Sequence, residues 1–249
     1  MDLELHELGK VFPGTGEALR DVNLRLPGGS FVTFLGPSGC GKSTVLRLIA
    51  GLERPTSGAV RWDGAERERP HGVSFVFQEP RLLPWRRALA NVVLPLELAG
   101  AGRPAEWQAA GERALRLVGL GDFVRAYPDQ LSGGMKMRVS RARALVSAPS
   151  VLLLDEPFGA LDEITREALN DELLRLWGQE RWTAVFVTHN IFESVYLSQQ
   201  IVVMGRRPGR VLTAIKVPFP YPRQPELRAT AEFAACVGEL QRILASTAG

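Results

Sequence analysis

Gly36-Pro37-Ser38-Gly39-Cys40-Gly41-Lys42-Ser43-Thr44 decides the fold of this chain. It has the P-loop spacing: Gly, four residues, then Gly-Lys-Ser/Thr. Phe31-Val32-Thr33-Phe34-Leu35 before it is apolar and β-favouring, and Val45-Leu46-Arg47-Leu48-Ile49-Ala50 after it suits a helix. Strand, glycine-rich loop and helix in that order are the context the motif requires. Glycines let the backbone curl so that several N–H groups point inward, and the helix N-terminus adds partial positive charge. The product is a cradle for the phosphates of a nucleotide. Lys42 would reach the β- and γ-phosphates, and the Ser43 hydroxyl would hold Mg²⁺. An ordinary glycine turn before a helix needs no Lys-Ser at its end.

Composition bounds the rest. A chain of 249 residues makes one large domain or two small ones. Its 45% hydrophobic and 23% charged residues are those of a soluble globular protein. No apolar run approaches the roughly 20 residues that span a bilayer. Met1-Asp2-Leu3-Glu4-Leu5-His6 lacks the basic start and apolar stretch of a signal peptide, so a cytoplasmic location is expected. Cys40 and Cys236 make no disulfide framework. A net charge of +3 is too weak to choose between an anionic membrane surface and nucleic acid.

Two alternating runs open the chain, Leu3-Leu5-Leu8 and Val22-Leu24-Leu26, and read as half-buried strands of an antiparallel layer. Phe12 is placed in the loop between them. It either stacks on an adenine ring or packs under the sheet. Ala59 to Trp62 and Gly72 to Phe77 read as further strands, with Gln78 at the end of the second. From residue 84 to 147 the strand signals stop. Pro104 suits a first helical position, and Trp107, Ala110, Ala114, Leu117 and Val118 share one helix face. Leu82-Leu83-Pro84-Trp85, flanked by Arg81, Arg86 and Arg87, is either a contact surface or a buried helix start. Ser132-Gly133-Gly134 before a helix over 136–146 is a second potential anion site, or a plain turn.

Val151-Leu152-Leu153-Leu154-Asp155-Glu156 is four apolar residues ending in two carboxylates. That pattern predicts a buried parallel strand whose C-terminal end meets the phosphate site. Asp155 is then the partner for Mg²⁺, and Glu156 orients or deprotonates the attacking water. Ala160-Leu161-Asp162 follows in a loop, then a helix over 163–177 carrying Ile164, Ala168, Leu173, Leu174 and Trp177. Thr183 to Thr188 is the next buried strand, with His189 at its end, where an imidazole can meet a γ-phosphate. His6 and His71 carry no such placement. Residues 201–204 and 211–215 read as a closing hairpin. Pro218, Pro220, Pro222 and Pro225 mark a stiff connector to a last helix over 228–245.

Taken together, these motifs resemble the ATP-binding subunits of ABC transporters. The order carries the resemblance over residues 1 to about 215: Phe12, the P-loop 36–44, Gln78, the signature Leu131-Ser132-Gly133-Gly134, the strand 151–156, Ala160-Leu161-Asp162 and His189. It implies an α/β P-loop NTPase with a RecA-like core, an antiparallel β-layer and a helical subdomain. The division implied is 1–83 with 148–215 for core and β-layer, 84–147 for the helical subdomain, and 216–249 for the connector and last helix.

By the same resemblance two copies pack head to tail, with each ATP between the P-loop of one and the signature loop of the other. Phe12 would stack on adenine. Gly36, Pro37, Ser38, Gly39, Cys40, Gly41, Lys42, Ser43 and Thr44 would hold phosphates, with Ser43, Gln78 and Asp155 toward Mg²⁺. Ser132, Gly133 and Gly134 would close on the partner's γ-phosphate, and Asp162 would lie at the interface. Glu156 looks like the base and His189 like the γ-phosphate switch, with Gln78 sensing the attacking water.

The implied partners are a second copy, integral-membrane permease subunits received around 78–91, indirectly an extracytoplasmic solute-binding protein, and no nucleic acid. The place implied is the cytoplasmic face of the cell membrane. Met135, Met137 and Asn190 depart from the family's commoner Gln, Gln and Asp. Leu83-Pro84-Trp85, Ser132 to Met135 and Asp155 to Glu163 look like importers of nitrate, sulfonates, taurine and similar solutes. The rivals are an exporter ATPase and an ABC-type ATPase with no transport role.

Overall fold

The computed structural model describes residues 1–66, 72–100, 102–159 and 161–246. His71 and Ala160 lie outside the described residues. The chain runs β1 (Leu3–Phe12), β2 (Gly16–Leu26), β3 (Phe31–Leu35), α1 (Lys42–Ile49), β4 (Ser57–Trp62), β5 (Ala65–Glu66) and β6 (Val73–Val76). Four helices follow: α2 (Ala88–Val92), α3 (Leu94–Ala99), α4 (Pro104–Leu117) and α5 (Gly133–Leu145). Then come β7 (Val151–Asp155), α6 (Glu163–Glu180), β8 (Thr183–Thr188), α7 (Ile191–Leu197), β9 (Gln200–Met204), β10 (Val211–Lys216) and α8 (Ala231–Ser246).

The larger sheet has the order β10-β9-β3-β8-β7-β6. All its neighbours are parallel except the antiparallel edge strand β10. Its central strands are apolar at nearly every position because both faces are covered. Phe31 and Leu35, Leu152 and Leu154, and Ala184 and Phe186 enter one core with α6, α7 and α8. The alternate residues, Val32 and Phe34, Val151 and Leu153, and Val185 and Val187, enter a second core with α1 and the other sheet. Each fully buried Leu, Val or Phe contributes about 1.5–3 kcal/mol.

The smaller sheet, β2-β1-β4-β5, is antiparallel throughout. The loose spacing Leu3-Leu5-Leu8 has a structural cause. The β1–β2 register shifts between Leu5 and Leu8, and Glu7 adopts φ 46°. This bulge returns Leu8 to the core face, where it is fully buried.

Helices α2, α4 and α5 pack around a third core of Ala88, Val92, Ala114, Leu115, Val118, Val139 and Ala142. Of the expected α4 face, Ala114 and Val118 are buried, but Leu117 is exposed, and Gly111 and Leu115 are buried as well, with Leu89 and Val93 directly over Gly111. Arg141 on α5 is 1% exposed and faces Glu172 of α6 at 3.6 Å; burial lowers its guanidinium to about 10.

Several boundaries also differ. Phe12 is the last residue of β1, paired with Gly16, and is not in the loop. Helix α5 starts at Gly133 instead of 136 because the Ser132 hydroxyl accepts the Met135 N–H and caps it. Helix α6 runs three residues past 177, with Ile164 and Ala168 on its solvent side. Helix α8 starts at Ala231, after a 3₁₀ turn over Pro225–Ala229.

Candidate active site

Four loops leave the C-terminal ends of β3, β6, β7 and β8, which stand at one edge of the same sheet. Ligands of open parallel sheets bind there. The loops bring the P-loop, Gln78, Asp155 with Glu156, and His189 to one place from positions up to 153 residues apart in sequence.

The loop after β3 curls onto α1. Gly41 has φ 98°, and a Cβ there would stand 2.6 Å from the Leu19 side chain, so only glycine fits. Gly39, at φ 77°, faces open space. No side chain caps the first turn of α1, and no acidic residue lies in it. Its N–H groups and positive dipole end are left for an anion. Lys42 is 4% exposed, and its ammonium donates to the Gly36 and Pro37 carbonyls at 2.8 and 2.9 Å. A buried ammonium held by two carbonyls and a weak 3.9 Å contact to Cys40 Sγ suits exchange onto phosphate oxygens. Cys40 is buried in the same loop, and burial raises its thiol pKa.

A cleft of about 370 Å³ opens on this loop, lined by Phe12, Ala18, Ser38, Gly39, Gly41, Lys42, Ser43, Thr44, Gln78, Glu156 and Arg207. The Ser43 hydroxyl donates to Asp155 Oδ1 at 2.7 Å. Burial pushes the Asp155 carboxyl up, while the Ser43 bond works against it. These two oxygens fit Mg²⁺, a hard ion that protein sites hold through one or two carboxylates plus phosphate oxygens. Among the described residues no cluster of three His, Cys, Asp or Glu side chains forms a cage for a metal by itself. That donor set suits an ion shared with a phosphate.

Glu156 has φ 43°, a conformation costly for a non-glycine residue and typical of sites where function holds it. Its N–H is tied to the Val187 carbonyl at 3.0 Å. Its Oε2 meets His189 Nδ1 at 3.1 Å. The expected base and the expected switch are therefore in contact, beside the phosphate cradle.

Ser132, Gly133, Gly134 and Asp162 do not line this cleft. Ser132 and Gly133 stand exposed at the start of α5. Asp162 caps α6 by accepting the Thr165 N–H at 3.0 Å, which holds its carboxyl below the usual range.

Two features had no local signal. Arg207 reaches the cleft from the β9–β10 connection, held by the Thr15 carbonyl at 2.7 Å and the Glu17 carbonyl at 3.2 Å. Its partners lie 190 and 192 residues away, and its sequence reads only as a hairpin joint. Lys10 Nζ sits 4.8 Å over the Phe12 ring while paired to Glu53 at 3.0 Å. This cation covers one ring face of Phe12.

Fold and cleft together define a P-loop NTPase. The ABC transporter family matches residues 19–159. An aliphatic sulfonates import ATP-binding protein of Xanthomonas axonopodis pv. citri is 48% identical, over 89% of this chain and 88% of its own length. One of the same description from Rhodopseudomonas palustris is 46% identical over 98% of this chain and 83% of its own. The dimeric post-hydrolysis state of an ATP-binding cassette, bound to ADP and Pi, superposes with a TM-score of 0.77 at 34% identity, over 88% of this chain and all of that one. This chain belongs to the ABC transporter family and is an ATPase of it.

Proposed function

We propose that this chain is the ATP-hydrolysing subunit of an importer for a small sulfonate-like solute, acting as a homodimer on a separate membrane permease. The observation that carries the catalytic part is the Glu156–His189 contact beside the Ser43–Asp155 pair at the P-loop. Lys42 and the α1 N-terminus hold the β- and γ-phosphates, and Phe12, in the cleft lining, stacks on adenine. A Mg²⁺ held by Ser43, Asp155 and Gln78 would offset phosphate charge. Glu156 takes the proton of the water whose oxygen bonds to the γ-phosphorus as the β–γ bridging bond breaks. His189 holds the γ-phosphate, with Gln78 orienting the water.

Ser132, Gly133 and Gly134 complete the site of a second copy, and Asp162 lies at that interface. Dimeric cassettes among the solved structures support this arrangement. The core and β-layer span 1–83 and 148–215, the helical subdomain 84–147, and the connector and last helix 216–249.

Trp85 supports the permease contact, since it is 71% exposed beside half-buried Leu82 and Leu83. Among the described residues no helix is long and apolar enough to cross a membrane. The proposed place is the cytoplasmic face, with an extracytoplasmic binding protein delivering solute to the permease. The sulfonate class follows the relatives' names.

Glu156→Gln tests the chemistry. ATP affinity should persist, turnover should fall at least about hundredfold, and a dimer should accumulate with ATP on size-exclusion chromatography. Turnover at the wild-type rate would remove Glu156 from the role of base.

A further inference from the structure

Glu193 is a buried carboxylate that the hydrolytic site does not use. It lies in the first turn of α7, 4% exposed. Desolvation raises its carboxyl to about 6, against the pull of Thr188 and Arg166. A buried charge is a poor way to stabilise a fold, and an apolar residue of similar size often does better. Its contacts show what it does instead.

Glu193 Oε2 accepts the Thr188 hydroxyl at 2.5 Å, and that hydroxyl accepts the Asn190 N–H at 3.0 Å. The Asn190 side chain in turn accepts the Glu193 N–H at 3.1 Å. These three bonds tie down the residues on either side of His189, whose own side chain is exposed. On its other side, Glu193 Oε1 faces Arg166 Nε of α6 at 3.6 Å. Arg166 also donates to the Leu161 carbonyl at 2.7 Å, in the loop before α6. One carboxylate thus joins the loop ending in Asp162 to the loop carrying His189.

The joint is incomplete. Glu193 Oε1 is buried without a hydrogen-bond partner among the described residues. Such a group calls for a reason. A closing movement of roughly half an ångström would bring Arg166 Nε into hydrogen-bond range. The contact is then an ion pair in this state and a charged hydrogen bond in a tighter one.

We propose that Glu193, through Arg166 and Thr188, is a positioning residue that couples the loop before α6 to the His189 loop, so that a second copy of this chain pressing at Asp162 sets where the imidazole stands against Glu156. The coupling rests on the proposed dimer and on the proposed role of His189.

The test uses steady-state ATP hydrolysis by the full chain, with thermal midpoints measured in parallel. Glu193→Gln and Arg166→Met should each lower kcat about tenfold and leave KM for ATP within about twofold, the signature of a contact needed in the transition state. The double variant should be no slower than the slower single, because both break one connection. Thr188→Val should lose kcat similarly while Thr188→Ser keeps it, a readout that holds if the charge variants fold poorly. Wild-type kcat in the Gln and Met variants, losses that multiply in the double, or a Ser variant as slow as Val would overturn the coupling. His189→Ala separates the two ideas. If it abolishes hydrolysis while the Glu193 and Arg166 variants stay at wild-type rates, the coupling alone fails. If it hydrolyses normally, the site reading and the coupling both fall.

Discussion

Two glycine-rich turns open helices in this protein, and they are built differently. The turn at 36–44 is walled at its base, with only Pro37, Ser38 and Gly39 exposed at its crest. Lys42 is 4% exposed, a Cβ on Gly36 would stand 2.7 Å from the Met204 carbonyl, and Phe12, Gln78 and Glu156 stand around the loop. The turn at 131–135 is bare. Ser132 and Gly133 are exposed, and a Cβ on Gly133 or Gly134 would meet nothing within 4 Å. Both helices present free N–H groups and the positive end of a dipole. The first turn has its own chain around its base. The second has the chemistry of an anion site and no walls, which suits a half-site completed by another molecule.

That contrast can be broken by substitution. Lys42→Ala removes the buried ammonium at the cradle, and should abolish both nucleotide binding and hydrolysis; titration with a fluorescent ATP analogue checks it. Retained micromolar binding would mean the cradle holds phosphate through its backbone alone. Gly134→Asp places a negative charge in the first turn of α5, where it has room and suits the helix dipole. The fold and single-chain ATP binding should be unchanged, while ATP-driven dimerisation is lost, read by light scattering in the Glu156→Gln background. A dimer that still forms would return Ser132-Gly133-Gly134 to an ordinary turn. Phe12→Ala should have the smallest effect. Loss of one stacking platform costs about 1–3 kcal/mol, a roughly 5- to 150-fold weaker Kd for ATP. An unchanged Kd would leave Phe12 as a half-buried residue at a strand end.

The strands and the loops at their ends were legible because both signals are local. The apolar runs 31–35, 151–154 and 183–188 read as buried strands, and the structure divides their alternate residues between two cores. The P-loop spacing needs only the eight consecutive residues 36–43. Other features were illegible for a matching reason. The partial shift of the α4 face depends on Leu89 and Val93 packing on Gly111, a tertiary contact. The early start of α5 depends on one Ser132 hydrogen bond, which a search for apolar periodicity passes over. Arg207 over the cleft, Lys10 over Phe12 and Glu193 between two loops are single charged residues in stretches with no pattern.

The sequence by itself determined the kind of chemistry. Residue type and spacing within short segments are enough to place a phosphate cradle, two carboxylates at a strand end and a histidine at the next. Only the tertiary structure decided which of them meet: Ser43 on Asp155 across 112 residues, His189 on Glu156 across 33, and Arg166 short of hydrogen-bonding Glu193. The physical reason is range. Backbone propensity and periodicity act over one or two turns of chain, whereas a hydrogen bond between side chains depends on strand order, on register and on tenths of an ångström.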